Sequence, residues 1–472
     1  MLAEAFHRLT AYAADRPWLE PVDDDRVRQD FIPLMPEERP PPFKEYPEHL
    51  QRITLPDVAG APVAAARLLS DSGAVDSAAG RTPSIGDLAV TLARCAGVRK
   101  RSARSGEYFR AASSAGNRHP YEVYVSARGV DGLADGVWHY DARAHAVTRI
   151  GPPAAGEVAT LVITGVPWRS CWRYSERGYR HVGWDCGTVA AHAVLAAATQ
   201  GLTARVQTAF DDAVVSSLVG ASDPEEFPML LVPLADGVPA VTPGGDSAQG
   251  DLGAGAEEFP LVAAIHEAGN LRGEQEVAAW DRRRAVRDPG VRATAQVPDE
   301  VGDEALELLV SRRRSVRRLD DTAVVSPVAA RWIIDVASAP MPGDAGTLHE
   351  VRVVAHGVEG LEPGVYRPAS GTLERTASSS RAATFRACLD QEAGRDAAAV
   401  IFLTPTPGPA IAPDARTYRA SLLSAGFALG RIYLAVAALR LDCSGLTFVD
   451  SELSAAIGVR DALAVIAVGV RR

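Results

Sequence analysis

The sequence predicts two copies of one fold, each mixing helices with strands, joined in one chain and facing each other as an internal pair. Three observations carry this. The chain has 472 residues, too long for one ordinary domain. Glu122, Gly132 and Gly136 recur as Glu350, Gly360 and Gly364, a constant offset of 228. Further on, Tyr179-Arg180, Gly187 and Asp211 recur as Tyr418-Arg419, Gly426 and Asp450, a constant offset of 239. Two registers, each held over several landmarks, define a duplication, and duplicated units are expected to pair about a pseudo-two-fold axis.

Bulk composition fits this reading. Hydrophobic residues make up 47% and charged residues 23%, which is globular. A net charge of −10 argues against non-specific binding to nucleic acid or to an anionic membrane. No apolar run is read as long enough to span a bilayer, and Met1–Arg8 has no signal-peptide core, so a cytoplasmic protein is expected. The five cysteines are scattered and odd in number, which suits reduced thiols. Cys171, His181, Cys186 and His192 match no zinc spacing, so no metal is expected.

In chain order, residues 1–80 read as a proline-rich arm that wraps over a domain, with Phe6, Leu9 and Tyr12 forming a short amphipathic start. A first domain follows over 81–236. Ser84 caps a helix, with Asp87 in the capping-box position. Val98–Arg104 is a dense basic run, either a solvated surface or a phosphate site. The stretch Arg110–Tyr124 passes from Ser113, Ser114, Gly116 and Asn117 through His119-Pro120 into a strand. It reads either as a polar turn or as a loop that brings backbone N–H groups to a flat, acceptor-rich ligand. His119 reads as a packing residue.

Thr160–Val166 is a buried strand, Trp168–Arg180 interleaves arginines with aromatics, and Thr188–Gln200 is an alanine-rich helix stopped by Gly201. Residues 237–296 read as a flexible acidic linker and a charged, helix-prone connector. A diverged second domain occupies 297–472. Its Arg314-Ser-Val-Arg317 reads as a recurrence of Arg101-Ser-Ala-Arg104. Not everything recurs: Ser113-Ser114 fall on Met341-Pro342, and Trp172–Tyr174 fall on Ile411–Pro413.

An Arg-Ser-x-Arg run, then a Ser-Ser-Ala-Gly loop entering a Pro-x-Glu-x-Tyr strand, resembles the FMN-dependent nitroreductase family. The first half is similar to its SagB-type branch, flavin dehydrogenases that oxidise azolines to azoles in thiazole/oxazole-modified peptides. The likeness runs through Phe6–Thr10, Lys44–Pro47, Leu55-Pro56, Gly97–Lys100, the stretch Arg110–Tyr124, Trp172–Arg180 and Gly220. The resemblance implies an α+β fold, a mainly antiparallel central sheet flanked by helices, with FMN between two such units. Carried onto this chain, Arg313, Arg314, Ser315, Arg317 and Arg471 of the second half would hold the phosphate. Ser113, Ser114, Gly116 and Asn117 of the first half would meet the ring. A reciprocal site would have Arg101, Ser102 and Arg104 but no ring loop, so one FMN per chain is expected.

In the branch, a Lys-Tyr pair is associated with proton transfer, and here that position reads Arg173-Tyr174. A guanidinium stays protonated, so Arg173 can orient substrate but is a poor base. Tyr174 becomes the catalytic candidate, its phenol expected to be acidified by Arg173 or Arg177. The expected partner is a peptide or small-molecule biosynthetic intermediate, with other modification enzymes as further partners. The alternatives are an NAD(P)H-dependent flavin reductase and a non-catalytic scaffold.

Overall fold

The computed structural model describes residues 2–13, 39–58, 63–70, 81–253, 259–283, 296–369, 372–406, 412–458 and 460–472. The first half contributes strands β1 (Arg52–Thr54), β2 (Val98–Arg101), β3 (Tyr108–Arg110), β4 (Tyr121–Ala127), β5 (Gly136–Asp141), β6 (Ala146–Gly151), β7 (Thr160–Gly165) and β8 (Phe227–Pro233). The second contributes β9 (His349–Ala355), β10 (Gly364–Ala369), β11 (Thr372–Ala377), β12 (Ala399–Pro405), β13 (Asp442–Leu446) and β14 (Ala464–Gly469). The sheets run β1-β6-β5-β4-β7-β8 and β11-β10-β9-β12-β14-β13, antiparallel throughout. The shared five-strand order, β6-β5-β4-β7-β8 against β11-β10-β9-β12-β14, is the duplication in three dimensions, and β4 and β9 keep the 228 offset from end to end.

The helices are α1 (Leu2–Leu9), α2 (Ala65–Ser70), α3 (Ile85–Cys95), α4 (Pro167–Tyr174), α5 (Gly178–Thr199), α6 (Asp212–Val219), α7 (Pro260–Glu267), α8 (Gly273–Arg282), α9 (Leu306–Arg312), α10 (Pro327–Ser338), α11 (Arg381–Ala387), α12 (Glu392–Asp396), α13 (Ala415–Ala438) and α14 (Leu453–Ile457). The capping box expected at Ser84 is present in full on α3. Helix α5 starts at Gly178, ten residues before the expected Thr188. Gly178, Gly183 and Gly187 lower helix propensity there, but packing overrides propensity. A Cβ on Gly187 would strike the backbone of Leu423 and Phe427, and one on Gly426 the backbone of Trp184. Gly187 and Gly426 are equivalent at the 239 offset, so α5 and α13 cross on the pseudo-two-fold axis at two glycines. Thr188 Oγ1 donates to the Gly426 carbonyl at 3.0 Å across that crossing.

Every residue of α5 and α13 is buried, which is why neither is amphipathic. Helix α13 is long and apolar enough to cross a membrane by length and composition, contrary to the expectation that no run qualifies. Here it lies wholly inside the fold.

Two buried ion-pair clusters lock the halves. Arg177 and Arg180, at the start of α5, reach Asp450 of the other half at 2.7 and 2.9 Å. Their 239-offset equivalents Arg416 and Arg419, on α13, reach Asp212 of the first half at 2.7 and 2.6 Å. The arm is anchored by Lys44, whose Nζ is 2.6 Å from Glu226 in a buried pair. In α1, Phe6 packs edge-on against both Tyr179 and Tyr418, while Leu9 is exposed.

The segment expected to be a flexible linker is docked over 237–253. It forms bridges Val158 to Pro239, Ala155 to Thr242 and Glu45 to Asp251, and Ser247 donates to the Leu218 carbonyl at 2.6 Å. Residues 254–258 of that linker and 284–295 of the connector lie outside the described residues.

Candidate active site between the repeats

The loop after β3 is held from three sides. From α5, Asp185 lies 2.5 Å from the Ser114 hydroxyl and accepts from the Ala115 amide at 3.1 Å. From α4, Arg169 Nη1 donates to the carbonyls of His119 and Tyr121 at 3.3 and 3.1 Å. From the second repeat, Arg313 Nε donates to the Ala111 carbonyl at 2.8 Å and Nη2 to that of Arg110 at 3.3 Å. Gly116 and Asn117 both sit at φ 58°, where glycine is favoured and asparagine tolerated. Ser114 and Asn117 are consumed in holding this shape. Ser114 Oγ also accepts from the His119 amide at 2.7 Å, while Asn117 donates to the Tyr108 carbonyl and meets His119 Nε2 at 2.9 Å. Ser113 keeps its hydroxyl uncommitted to any described residue, and Gly116 at the tip is exposed. His119 is buried and its pKa is held well below the ordinary value by desolvation, the packing role expected of it.

Arg173 and Tyr174 end α4 directly beneath this loop. A Cβ on Gly116 would lie 2.5 Å from the Tyr174 hydroxyl and 3.3 Å from Arg173 Cδ. The expected acidification of Tyr174 is reversed: burial raises its pKa, and the neighbouring Arg173 charge only partly offsets that. Arg177 is not its partner at all. It is spent on Asp450, the Thr10 carbonyl and the ring of Tyr12.

Asp185, missed by the sequence reading, is the titratable group of the site. Burial pushes its carboxyl up to about 7, against the opposing bonds from Ser114 and Ala115. A lone aspartate inside an alanine- and valine-rich helix was the available signal. Ser175, next to Tyr174, adopts φ 53° with ψ −150°, a conformation costly for a non-glycine residue. Around it, Trp172 Nε1, Arg173 Nε, Ser175 Oγ, both nitrogens of His181 and Trp184 Nε1 are buried without hydrogen-bond partners among the described residues. So many orphaned groups in one place mark a site that expects a polar partner. The His181 ring is edge-on to Tyr174 at 4.0 Å and stacked on Trp184 at 4.5 Å.

The second-repeat arginines divide into two kinds. Arg313 is buried, and its guanidinium is bonded to the loop carbonyls. Arg314 and Arg317 are exposed. Arg314 pairs with Asp442 at 2.8 Å, the Arg471 amide donates to the same carboxylate at 3.2 Å, and Ser315 Oγ meets Tyr433 OH at 2.8 Å. Arg314, Ser315 and Arg471 thus converge at one end of the β13–β14 edge. Arg101, Ser102 and Arg104 lie elsewhere, on the β2–β3 hairpin, where Arg101 stacks over Tyr108 and the Ser102 amide bonds the Glu107 carbonyl.

The apparent recurrence of the basic run is not structural. Ser84 and Ser326 cap the equivalent helices α3 and α10, yet Arg101–Arg104 follow α3 whereas Arg314–Arg317 precede α10. At the cap-to-cap offset, Arg314–Arg317 fall on Ser72-Gly-Ala-Val75, residues outside the described set that carry no arginine.

Two stretches, residues 87–236 and 310–469, match the sequence profile of the Nitroreductase family, one in each half. The chain belongs to the Nitroreductase family. A Methanocaldococcus jannaschii protein named as a nitroreductase is 30% identical over 141 residues, 27% of this chain and 70% of that protein. A crystal structure from Anabaena variabilis, also named as a nitroreductase, covers 100% of this chain and 99% of that one at TM-score 0.73 and 22% identity, which shows the fold. The Escherichia coli microcin synthetase complex aligns with 34% of this chain and 66% of that chain at TM-score 0.29 and 19% identity, too slight to bear on function. This nitroreductase-family oxidoreductase therefore carries its family fold twice, and the family typically binds flavin.

Proposed function

We propose that the chain is an FMN-dependent dehydrogenase of the SagB type, oxidising an azoline (thiazoline or oxazoline) or related C–N or C–C bond in a peptide or carrier-bound intermediate. The observation that carries the reading is the hydrogen bond from Arg313 to Ala111. It joins the exposed basic cluster of one repeat to the serine loop of the other.

The residues fit such a cofactor. Arg314, Ser315, Arg317 and Arg471 would hold the phosphate, since planar guanidinium forks suit phosphate oxygens. Ser113 and the backbone of Ser114–Asn117 would meet the ring. When bound, FMN supplies the hydride acceptor. The chain supplies positioning and proton control. Tyr174, whose phenol pKa is raised by burial, donates a hydrogen bond to an acceptor atom of the substrate, and the planar fork of Arg173 fixes the substrate's orientation. Proton exchange near neutral pH falls to Asp185, held behind the loop by Ser114 and electrostatically coupled to Tyr174.

The test is the visible spectrum of the purified chain together with its reactivity. Flavin absorbance, slow bleaching by NADPH and oxygen-dependent oxidation of a thiazoline peptide support the reading. Rapid bleaching by NADPH points instead to a flavin reductase, and absence of flavin even after FMN is supplied points to a scaffold. A Tyr174→Phe variant that keeps its flavin and full turnover would remove Tyr174 from the chemistry.

A further inference from the structure

Resting on the flavin reading and deepening it, we propose that only one of the two pseudo-equivalent sites takes a flavin, the other being closed by Asp344 and helix α8. The 239 register makes Thr208 and Thr447 equivalents. Gly201 and Arg440, equivalent residues ahead of them, both turn the chain at positive φ, 72° and 58°.

On the closed side the loop equivalent to Ser113–Asn117 has collapsed onto this segment. The Val206 amide donates to the Pro342 carbonyl at 2.8 Å, Val206 forms a parallel bridge with Gly343, and Val206 is wholly buried. Asp344, at the 228-register position of Gly116, accepts from the Thr208 amide at 2.8 Å, from the Thr208 hydroxyl at 2.8 Å and from the Ala209 amide. Trp280 of α8 then donates its indole N–H to Thr208 Oγ1 at 2.9 Å. The cavity left there, about 410 Å³, is roofed by Glu274 and Asp281 of α8, and its Arg205 is paired with Asp236 at 2.7 Å. Carboxylates there repel a phosphate. The first half also has no arginine at Ser72–Val75 or at Leu231–Gly237, the counterparts of Arg314–Arg317 and the C-terminal strand end.

On the open side each closure is missing among the described residues. Gly445, at the position of Val206, is exposed, and Gly116 brings no carboxylate. Among the described residues the hydroxyl oxygen of Thr447 is buried with no hydrogen-bond partner, where that of Thr208 has both Asp344 and Trp280. Thr447 is therefore assigned to the ligand, and Thr208 to the plug.

The full-length chain is saturated with FMN, desalted and denatured, and released flavin is measured against protein. About one per chain is expected, and about two overturns the proposal. No retained flavin rejects the cofactor reading itself, a distinct failure. In fluorescence titrations, Thr447→Val is expected to weaken FMN binding about tenfold. Thr447→Ser should restore it, and Thr208→Val should leave it unchanged, with circular dichroism confirming folding. Equal effects of Thr447→Val and Thr208→Val overturn the assignment.

Discussion

The Ser114 hydroxyl lies 2.5 Å from the Asp185 carboxyl, which also accepts the Ala115 amide, so one residue of the central helix shapes the loop above it. Its pKa of about 7 stands above the usual aspartate value near 4. With the folded value raised, the stabilising contribution is full below about pH 4 and is lost as pH rises through 7. Wild type is expected to lose stability over that window, on the order of a few kcal/mol, relative to Asp185→Asn. Urea unfolding of both proteins from pH 4 to 8 measures this, and parallel curves would refute it.

Asp450 has the opposite sign. Arg177 and Arg180 hold its carboxyl well below the usual range despite burial. Its contribution is present above about pH 4 and is lost as pH falls further. Asp450→Asn leaves two buried guanidinium groups without their counter-charge and should cost about 3–5 kcal/mol at pH 7. The denaturant midpoint reports it, and the deficit should shrink in acid.

Gly116→Ala tests the contact between loop and catalytic candidate. The positive φ costs about 1–2 kcal/mol for a non-glycine residue, while the new Cβ displaces the Tyr174 hydroxyl. Turnover should fall more than about tenfold with only a small change in melting temperature. Normal turnover would show that Tyr174 need not sit there.

Arg313→Met removes two bonds between the repeats and leaves the Ala111 and Arg110 carbonyls short of a donor. A loss of about 2–4 kcal/mol is expected, with faster proteolysis near the serine loop. Unchanged proteolysis there would mean the loop is held without it.

Much of this was legible in the sequence because it is local or repeated. The cap at Ser84, the strand Tyr121–Ala127 and the matching offsets need no tertiary knowledge. What was hidden depends on contacts distant in sequence. The environment of Tyr174 hinges on burial, which reverses the acidifying effect that its arginine neighbours suggest. Arg177 looks like a site residue until its partner, 273 positions away, is seen. The basic run at Arg101 matches Arg314–Arg317 in letters but lies on the other side of its helix, and only topology reveals that. The docked 237–253 segment misleads for a similar reason, since glycine-rich composition describes a free chain and not one bonded to a neighbouring domain.

The meeting of Gly187 and Gly426 on the pseudo-axis has one more consequence. In a dimer of identical subunits a single codon is read out at both faces, so no face can be spoiled without spoiling its twin. Here the axis passes between two separately encoded glycines, and the chain on either side of it is free to drift alone. Fusion thus removes the obligation of symmetry while keeping its geometry. One face can be surrendered to scaffolding as the other is refined for a more demanding molecule.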